Sequence, residues 1–392
     1  MRIGIDARFY GSLGKGLGRY TEKLIEHLEE LDQDNEYIIF LRRENFAEYI
    51  PKNSHFKKVV AQFVWYGFAE QTCFVWMLYR YSLDLVHFPH FNVPIFYRRP
   101  FVVTIHDLIL VHYPTLRNTT RPRLLYVLKF LAYRGVIASA ITRASHIITV
   151  SHFTERDIIT KYPQATGKLS VTYEAADDFC RWSPLEHGEI FLKKFQLTGK
   201  RKTDSLPVSR DILHSYFLYV GNAYPHKNLA VLFAVAKAFP EKTLVLVGRE
   251  DFFYKQLKQQ SEKECLRNVV FTGFLTDGEL AILYRFARVY LFPSLYEGFG
   301  LPPLEAMTYG TPVVASERGS LPEVLGEAAL YFDPMNASQL ITLLRQLDDQ
   351  EILRQQRSIR GYRQVSQYHF RDMAHQTLRI YQQGCHQKTG TL

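Results

Sequence analysis

The stretch FPSLYEGFGLPPLEAM, running from Phe292 to Met307, decides how the rest of the chain is read. It closes the apolar run Val289-Tyr290-Leu291-Phe292, which reads as a strand. Gly298 and Gly300 then mark a tight loop. Pro302 and Pro303 mark the first turn of a helix, where a missing N–H costs nothing. A strand, a glycine loop and a helix N-terminus in that order present backbone N–H groups and a positive dipole end to a phosphate or another anion. Glu297 stands in the loop, and Glu305 stands eight positions on, about one turn into the helix. Two glutamates eight apart are usually a solvated helix face. The glycines and prolines between these two exclude one regular helix, so the pair reads as a ligand site.

Outward from this stretch, short apolar runs alternate with longer helical patterns. In the first half the strands are Ile3-Gly4-Ile5, Tyr37 to Leu41, Leu85-Val86-His87, Phe101 to Ile105 and His146 to Val150, with a helix from Tyr20 to Leu31. Ser151 reads as an N-cap, with Glu155 and Asp157 in the early turns behind it. In the second half the runs are Phe217 to Val220, Leu244 to Val247, Val269-Val270-Phe271, Val289 to Phe292 and Pro312 to Ala315. Continuous apolar runs separated by helices predict parallel sheets covered on both faces. A chain of 392 residues exceeds one ordinary core, so two domains are expected. The polar, basic stretch from Leu197 to Arg210 has no apolar period and reads as a linker. The expected division is 1–196, a linker at 197–210, 211–370, and a final amphipathic helix within 371–392.

With 47% hydrophobic and 22% charged residues, the composition is that of a soluble globular protein. Cys73, Cys180, Cys265 and Cys385 lack any C-x-x-C spacing, which argues against a disulfide framework or a zinc cluster and for a reducing cytosol. The chain begins directly on a strand rather than on a signal-peptide apolar region. No run approaches the roughly 18 apolar residues of a spanning helix. A cytoplasmic protein is expected. The net charge of +9 is unevenly placed: between Asp84 and Glu155 the only acid is Asp107, against Arg98, Arg99, Arg117, Arg121, Arg123, Lys129, Arg134 and Arg143. The same segment holds Leu124 to Leu128 and Phe130 to Tyr133. Two readings stay open. One is a face for an anionic membrane or a lipid-linked substrate, at the inner side of the cell membrane; the other is an ordinary helix with a basic outer surface. No nucleic-acid-binding motif accompanies the charge.

Three further groups carry chemistry. Gly11, Gly14, Gly16 and Gly18 crowd the turn after the first strand, without the G-x-G-x-x-G order of a dinucleotide site. Lys227, in the loop Gly221 to Asn228 after the first strand of the second half, offers a mobile positive charge to a pyrophosphate. His106, with Asp107, follows the strand Phe101 to Ile105.

Glu297 to Glu305 resembles the E-x7-E motif of retaining glycosyltransferases of family 4, and TYGTPVVASERGSLPEVLGEAALYFDP after it matches that family in order and spacing. The resemblance runs back through nearly the whole chain. It is strongest to the mannosyltransferase-like branch that builds O-antigen and related surface polysaccharides. It implies the GT-B fold: two Rossmann-like parallel-sheet domains facing across a cleft, with the last helix crossing back to the first domain. It implies transfer of a sugar, mannose from GDP-mannose in the first place, to a hydroxyl of a glycan or polyprenyl-linked acceptor with retained anomeric configuration. UDP-sugar donors, a nucleotide-sugar epimerase and a non-catalytic nucleotide-sugar binding protein remain as alternatives. By the same resemblance Glu297 orients the sugar, Glu305 holds the ribose, and Gly14 and Gly16 lie over the diphosphate. Lys227 meets the pyrophosphate, His106 lies by the transferred sugar, and Asn222, Gly298, Phe299, Gly300 and Leu301 complete the donor site. Asn222 stands where many members of the family have arginine and His226 where arginine or glutamate is common, so the second phosphate-binding cation is open, with Arg249 as one choice. Glu70 and Gln71 also match a recurrent pair of the branch, with no chemical role assigned. Asp177-Asp178 is not the D-x-D of metal-dependent transferases, so a site without metal or cofactor is expected.

Overall fold

The computed structural model describes residues 1–114, 123–176, 191–192, 194–195, 197 and 216–386. The described residues fall into two compact units. The first lies within Met1–Val111, Thr119–Glu174 and His369–Leu392, and the second within His112–Asn118 and Ala175–Tyr368. Apart from Leu197, the expected linker from 197 to 210 lies outside the described residues, as does Asp177-Asp178.

In the first unit, seven strands form one parallel sheet. They are β1 (Arg2–Asp6), β2 (Glu36–Leu41), β3 (Phe56–Val60), β4 (Leu85–Phe88), β5 (Phe101–Ile105), β6 (His146–Thr149) and β7 (Leu169–Val171), in the order β3-β2-β1-β4-β5-β6-β7. Successive side chains serve opposite cores. Ile38 and Phe40 of β2 join Phe101, Val103 and Ile147 on one face, while Tyr37, Ile39 and Leu41 join Ile3, Ile5 and Val102 on the other. A period of two with both faces buried is why these strands read as unbroken apolar runs. The edge strands β3 and β7 carry no such run, since Lys57 and Lys58 interrupt one and the other is three residues long.

Helix α1 (Lys15–Leu31) starts five residues before the expected Tyr20 and lays Tyr20, Leu24, Ile25 and Leu28 on the second core. Helix α2 (Arg123–Arg143) packs Ile137, Ala140 and Ile141 on the first core. Arg143 donates to the carbonyls of Tyr97 and Pro94, so this member of the basic segment is engaged internally. Residues 115–122 and the side chains of 123–129, the rest of that segment's centre, are outside the described residues.

In the second unit β8 (Tyr216–Val220), β9 (Thr243–Val247), β10 (Val269–Gly273), β11 (Val289–Phe292), β12 (Val313–Ser316) and β13 (Leu330–Phe332) form a parallel sheet. The strand order is β10-β9-β8-β11-β12-β13. Helix α3 (Leu301–Thr308) follows β11. The last helix, α4 (Phe370–His386), belongs to the first unit, as the family resemblance implied. Its Met373, Ala374, Leu378 and Tyr381 fill the core beside α1. Tyr381 Oη and His87 Nδ1 are hydrogen-bonded at 2.6 Å, and His87 Nε2 and Thr104 Oγ1 at 2.8 Å, so the returning helix is tied by polar contacts to the sheet centre.

Strand order reverses between β1 and β4 in one sheet and between β8 and β11 in the other. Ligands of open α/β sheets bind beyond the carboxyl ends of strands at such a reversal. Among the described residues no helix is long and apolar enough to cross a membrane.

Candidate active site

In the second unit β8 and β11 are hydrogen-bonded neighbours, so the loops that leave them lie side by side. The Leu295 N–H donates to the His226 carbonyl at 2.7 Å and fastens one loop to the other. A short 3-10 turn at Pro225–Lys227, ended by Asn228 at φ +55°, turns Lys227 inward. Its ammonium lies 2.5 Å from Glu297 Oε1 and 5.2 Å from the Phe292 ring centroid. The two side chains are only 11% and 9% exposed, and charges so placed persist because each is the other's partner. The structure thus brings together two site residues that are 70 positions apart in the chain.

The loop around Glu297 is held from behind. Ser320 Oγ donates to the carbonyls of Glu297 (3.1 Å) and Phe299 (2.9 Å). Gly298 and Phe299 are buried. Gly300 caps α3 at φ +101°, a conformation that costs little only for glycine, and an added Cβ would meet Leu321. Leu301 opens the helix, and Pro302 and Pro303 follow at once. The prolines narrow the expected anion seat: they have no N–H, so Gly300 and Leu301 supply the amides at this helix end. Glu305 is buried one turn further on and accepts a hydrogen bond from Tyr284 Oη at 2.9 Å.

The departures from the family pattern have physical content. Asn222 is exposed, its Oδ1 accepts the Tyr224 N–H at 3.2 Å and its carbonyl accepts Tyr219 Oη at 2.7 Å, so it shapes the loop. His226 is buried, and burial, followed by the nearby Lys227 charge, pushes its imidazole down to about 4. It is therefore neutral at pH 7 and does not supply the positive charge of an arginine there. Arg249, exposed just beyond β9, lies over the Phe274 ring at 5.2 Å.

In the first unit Gly14 ends a 3-10 turn (Gly11–Gly14), where a Cβ would collide with the Phe9 carbonyl. Gly18, which the sequence pattern did not single out for the site, is barred from a side chain by the Gly11 carbonyl and, behind it, that of Phe9. Gly16 is exposed with open space around it, so nothing in the packing requires a glycine there.

His106 leaves β5 directly. Its Nδ1 is 2.9 Å from Glu174 Oε1 and its Nε2 is 2.9 Å from the Pro89 carbonyl. The Tyr20 ring stands perpendicular to it, centroids 4.7 Å apart. Burial works against charge on this imidazole and is the largest single influence. The hydrogen bond and charge of Glu174, with the Pro89 carbonyl and Asp107, outweigh it and raise the pKa above the ordinary value. Glu70 receives a role here. Fully buried at the start of a π-turn (Glu70–Phe74), it takes Arg8 at 2.6 Å, Asn92 Nδ2 at 2.8 Å and the Tyr66 N–H at 2.8 Å, while Arg8 also meets Asp6 at 2.7 Å. Glu70 therefore binds the exit of β1 to the exit of β4. Gln71 Oε1 accepts the Ile95 N–H at 2.7 Å. Among the described residues no group of three or more His, Cys, Asp or Glu side chains is placed to hold a metal ion.

Comparison with known proteins bears on what this arrangement is. Residues 14–178 match the family model "Glycosyltransferase Family 4", and residues 214–364 match "Glycosyl transferases group 1". The chain is 28% identical over 391 residues to the O-antigen chain mannosyltransferase B of Escherichia coli, covering 93% of this chain and 95% of that one. It is 26% identical over 341 residues to the O-antigen chain mannosyltransferase RfbU of Salmonella typhimurium, covering 83% and 84%. Among solved structures, sucrose-phosphate synthase of Thermosynechococcus elongatus superposes with a TM-score of 0.74 at 20% identity, over 98% of each chain. The chain belongs to glycosyltransferase family 4, in its mannosyltransferase-like branch, and has the GT-B fold.

Proposed function

We propose that this glycosyltransferase moves mannose from GDP-mannose to a hydroxyl of a glycan or lipid-linked oligosaccharide, with retention at the anomeric carbon. The observation that carries the reading is the meeting of Lys227 and Glu297 at the reversal point of the second sheet. It stands beside the mannosyltransferase names of relatives that align over most of the chain.

Charge develops on the leaving diphosphate, and preorganised donors are worth most where charge develops. Lys227 exchanges Glu297 for the diphosphate, and the amides of Gly300 and Leu301 face the same oxygens. Released from the ammonium, Glu297 accepts from the sugar hydroxyls and orients the ring. Glu305 holds the ribose, with Asn222, Gly298 and Phe299 shaping the pocket. Gly14 and Gly16 let the first unit's loop approach the diphosphate, and His106 acts beside the transferred sugar. No carboxylate takes the role of a covalent nucleophile, in contrast to the paired acids of retaining glycosidases. The acceptor hydroxyl attacks on the face the leaving phosphate vacates, and the phosphate oxygen takes its proton. In this reading 1–196 is the acceptor domain and 211–370 the donor domain. Contact with the inner face of an anionic membrane would run through the basic segment around α2, and liposome binding would then need anionic lipid and weaken with salt.

Calorimetry with GDP-mannose, UDP-glucose, UDP-N-acetylglucosamine and the free nucleotides tests the donor. Selective binding of GDP-mannose that is markedly weakened in Lys227→Ala is the expected result. Selective binding of a UDP-sugar would keep the chemistry and replace the donor. Binding by none, or donor turnover that needs no acceptor, would overturn the reading.

A further inference from the structure

His106 and Glu174 leave the same edge of the first sheet, His106 directly after β5 and Glu174 three residues after β7. Each ring nitrogen of His106 faces an oxygen at 2.9 Å. The oxygen at Nε2 is a backbone carbonyl, which only accepts, so Nε2 carries a proton. The oxygen at Nδ1 belongs to a carboxylate, and an unprotonated Nδ1 would set one lone pair against another. A neutral imidazole has one N–H and satisfies one of these acceptors; an imidazolium satisfies both. The pair is also mostly withdrawn from water, with side chains 20% and 7% exposed, and a charge-assisted hydrogen bond there is about twice as strong as a neutral one.

We propose that Glu174 is a positioning residue that holds His106 as an imidazolium, so that His106 serves the transfer by a fixed positive charge and not as a general base. The proposal rests on the reading of His106 as a group beside the transferred sugar. With both N–H groups engaged by the protein, the ring offers a developing phosphate charge an electrostatic partner that cannot take up its proton.

The other titratable groups around the ring fit a single cation. Asp107 follows His106 in the chain, Tyr20 comes from α1, and His87 and His90 come from β4 and its exit. His87 and His90 are pushed down to about 3, by burial first and by His106 second, so both stay neutral. Two carboxylates and two neutral imidazoles thus surround one positive ring. Its raised pKa means that the charge is present below the ordinary value of 6.5 and persists above it, leaving only as pH rises through the raised value.

The test uses the full chain and two readouts. Nitrogen chemical shifts of histidine-labelled protein report directly whether His106 carries one proton or two. Two at pH 6.5 in the native protein and one in Glu174→Gln is the expected result; Glu174→Asp should restore two. A neutral His106 in the native protein, with the proton on Glu174 instead, would overturn the proposal, and this measurement does not require the variant to fold. For turnover, native kcat should hold through the ordinary imidazole value of 6.5 and fall only at higher pH. Glu174→Gln should lose kcat as pH rises through a value below the native one, since burial then acts with little opposition, by about tenfold for each unit beyond it, with KM little changed. A profile in Glu174→Gln that matches the native one would also overturn it. Normal turnover in His106→Gln together with a doubly protonated native ring would leave the pairing standing and remove the catalytic reading beneath it.

Discussion

At the carboxyl edge of the second sheet, Lys227 and Glu297 hold one another across 2.5 Å, each with a small share of its surface in water. At the corresponding edge of the first sheet, His106 is gripped on both nitrogens by the Glu174 carboxylate and the Pro89 carbonyl. Both are ion pairs of nearly buried groups, yet they are built for different uses. The ammonium of Lys227 is a flexible point charge that can turn from a carboxylate to a phosphate. The planar imidazole has two fixed directions, and both are taken. One edge thus carries charges able to change partners, and the other a charge held in place. A nucleotide-diphosphate donor, which arrives bearing negative charge, requires the first kind where it binds. The second kind suits charge that appears only during reaction.

Glu297→Gln attacks the exchangeable pair most directly, and a loss of kcat of about a hundredfold or more is expected, the scale seen when a charge-aligning group is removed from a site. Glu297→Ala should lose as much and also stability. Removing one partner of a fully buried pair costs about 3–5 kcal/mol, and this pair, which touches water, should lose about 1–3. Steady-state kinetics alongside thermal unfolding separates the two effects. Near-normal turnover in both variants would falsify the role given to Glu297.

Lys227→Ala comes next. Loss of charged hydrogen bonds worth about 1.5–3 kcal/mol should weaken donor binding by roughly ten- to a hundredfold. If the pair is exchangeable, calorimetry should find the free nucleoside diphosphate weakened as much as the whole donor. A loss confined to the sugar-bearing donor would mean that Lys227 contacts the sugar and not the phosphates, and the contrast between the two edges would fail.

How much of this was legible in the sequence follows the same division. The second site lies on two loops, each marked by its own glycines, prolines and polar residues directly after an apolar run, so Lys227, Glu297, Gly300 and Glu305 stand out locally. The central strands were legible because both faces are buried, while β3, β7 and β13 were not, being short or interrupted by lysine. The start of α1 was hidden by Gly16 and Gly18, poor helix formers that its packing against the sheet outweighs. Glu174 could not be found from the sequence at all. It reaches His106 across 68 residues, through the pairing of β5, β6 and β7, and no spacing rule encodes a contact made by strand order. Ser320 and Tyr284, which fix the loop at Glu297 and the carboxylate of Glu305, are partners of the same hidden kind.

Ser320→Ala tests whether the exchangeable pair needs a rigid backing. It leaves two buried carbonyls without their hydroxyl, for a stability loss of about 1–2 kcal/mol, and it should change kcat much less than Glu297→Gln does. A fall in kcat as deep as that of Glu297→Gln would mean that the loop, rather than the carboxylate, sets the rate.

The smallest expected effect concerns His226, beneath the same loops. Its folded pKa of about 4 lies below the ordinary 6.5, so the unfolded chain binds this proton more readily than the native one. Its contribution to stability is complete above about 6.5 and declines as pH falls from there towards 4. His87 and His90 in the first unit act in the same direction, at about 3. Unfolding of the native protein should therefore become easier through this window, and His226→Gln should remove part of the slope between pH 6.5 and 4 while leaving the rest. The variant should keep donor affinity at pH 7, because the imidazole it removes is uncharged there. A marked loss of donor affinity at pH 7 would show His226 acting as the second phosphate contact by a neutral N–H. The second edge would then hold one exchangeable charge and one fixed dipole, closer in design to the first than the ion pairs alone imply.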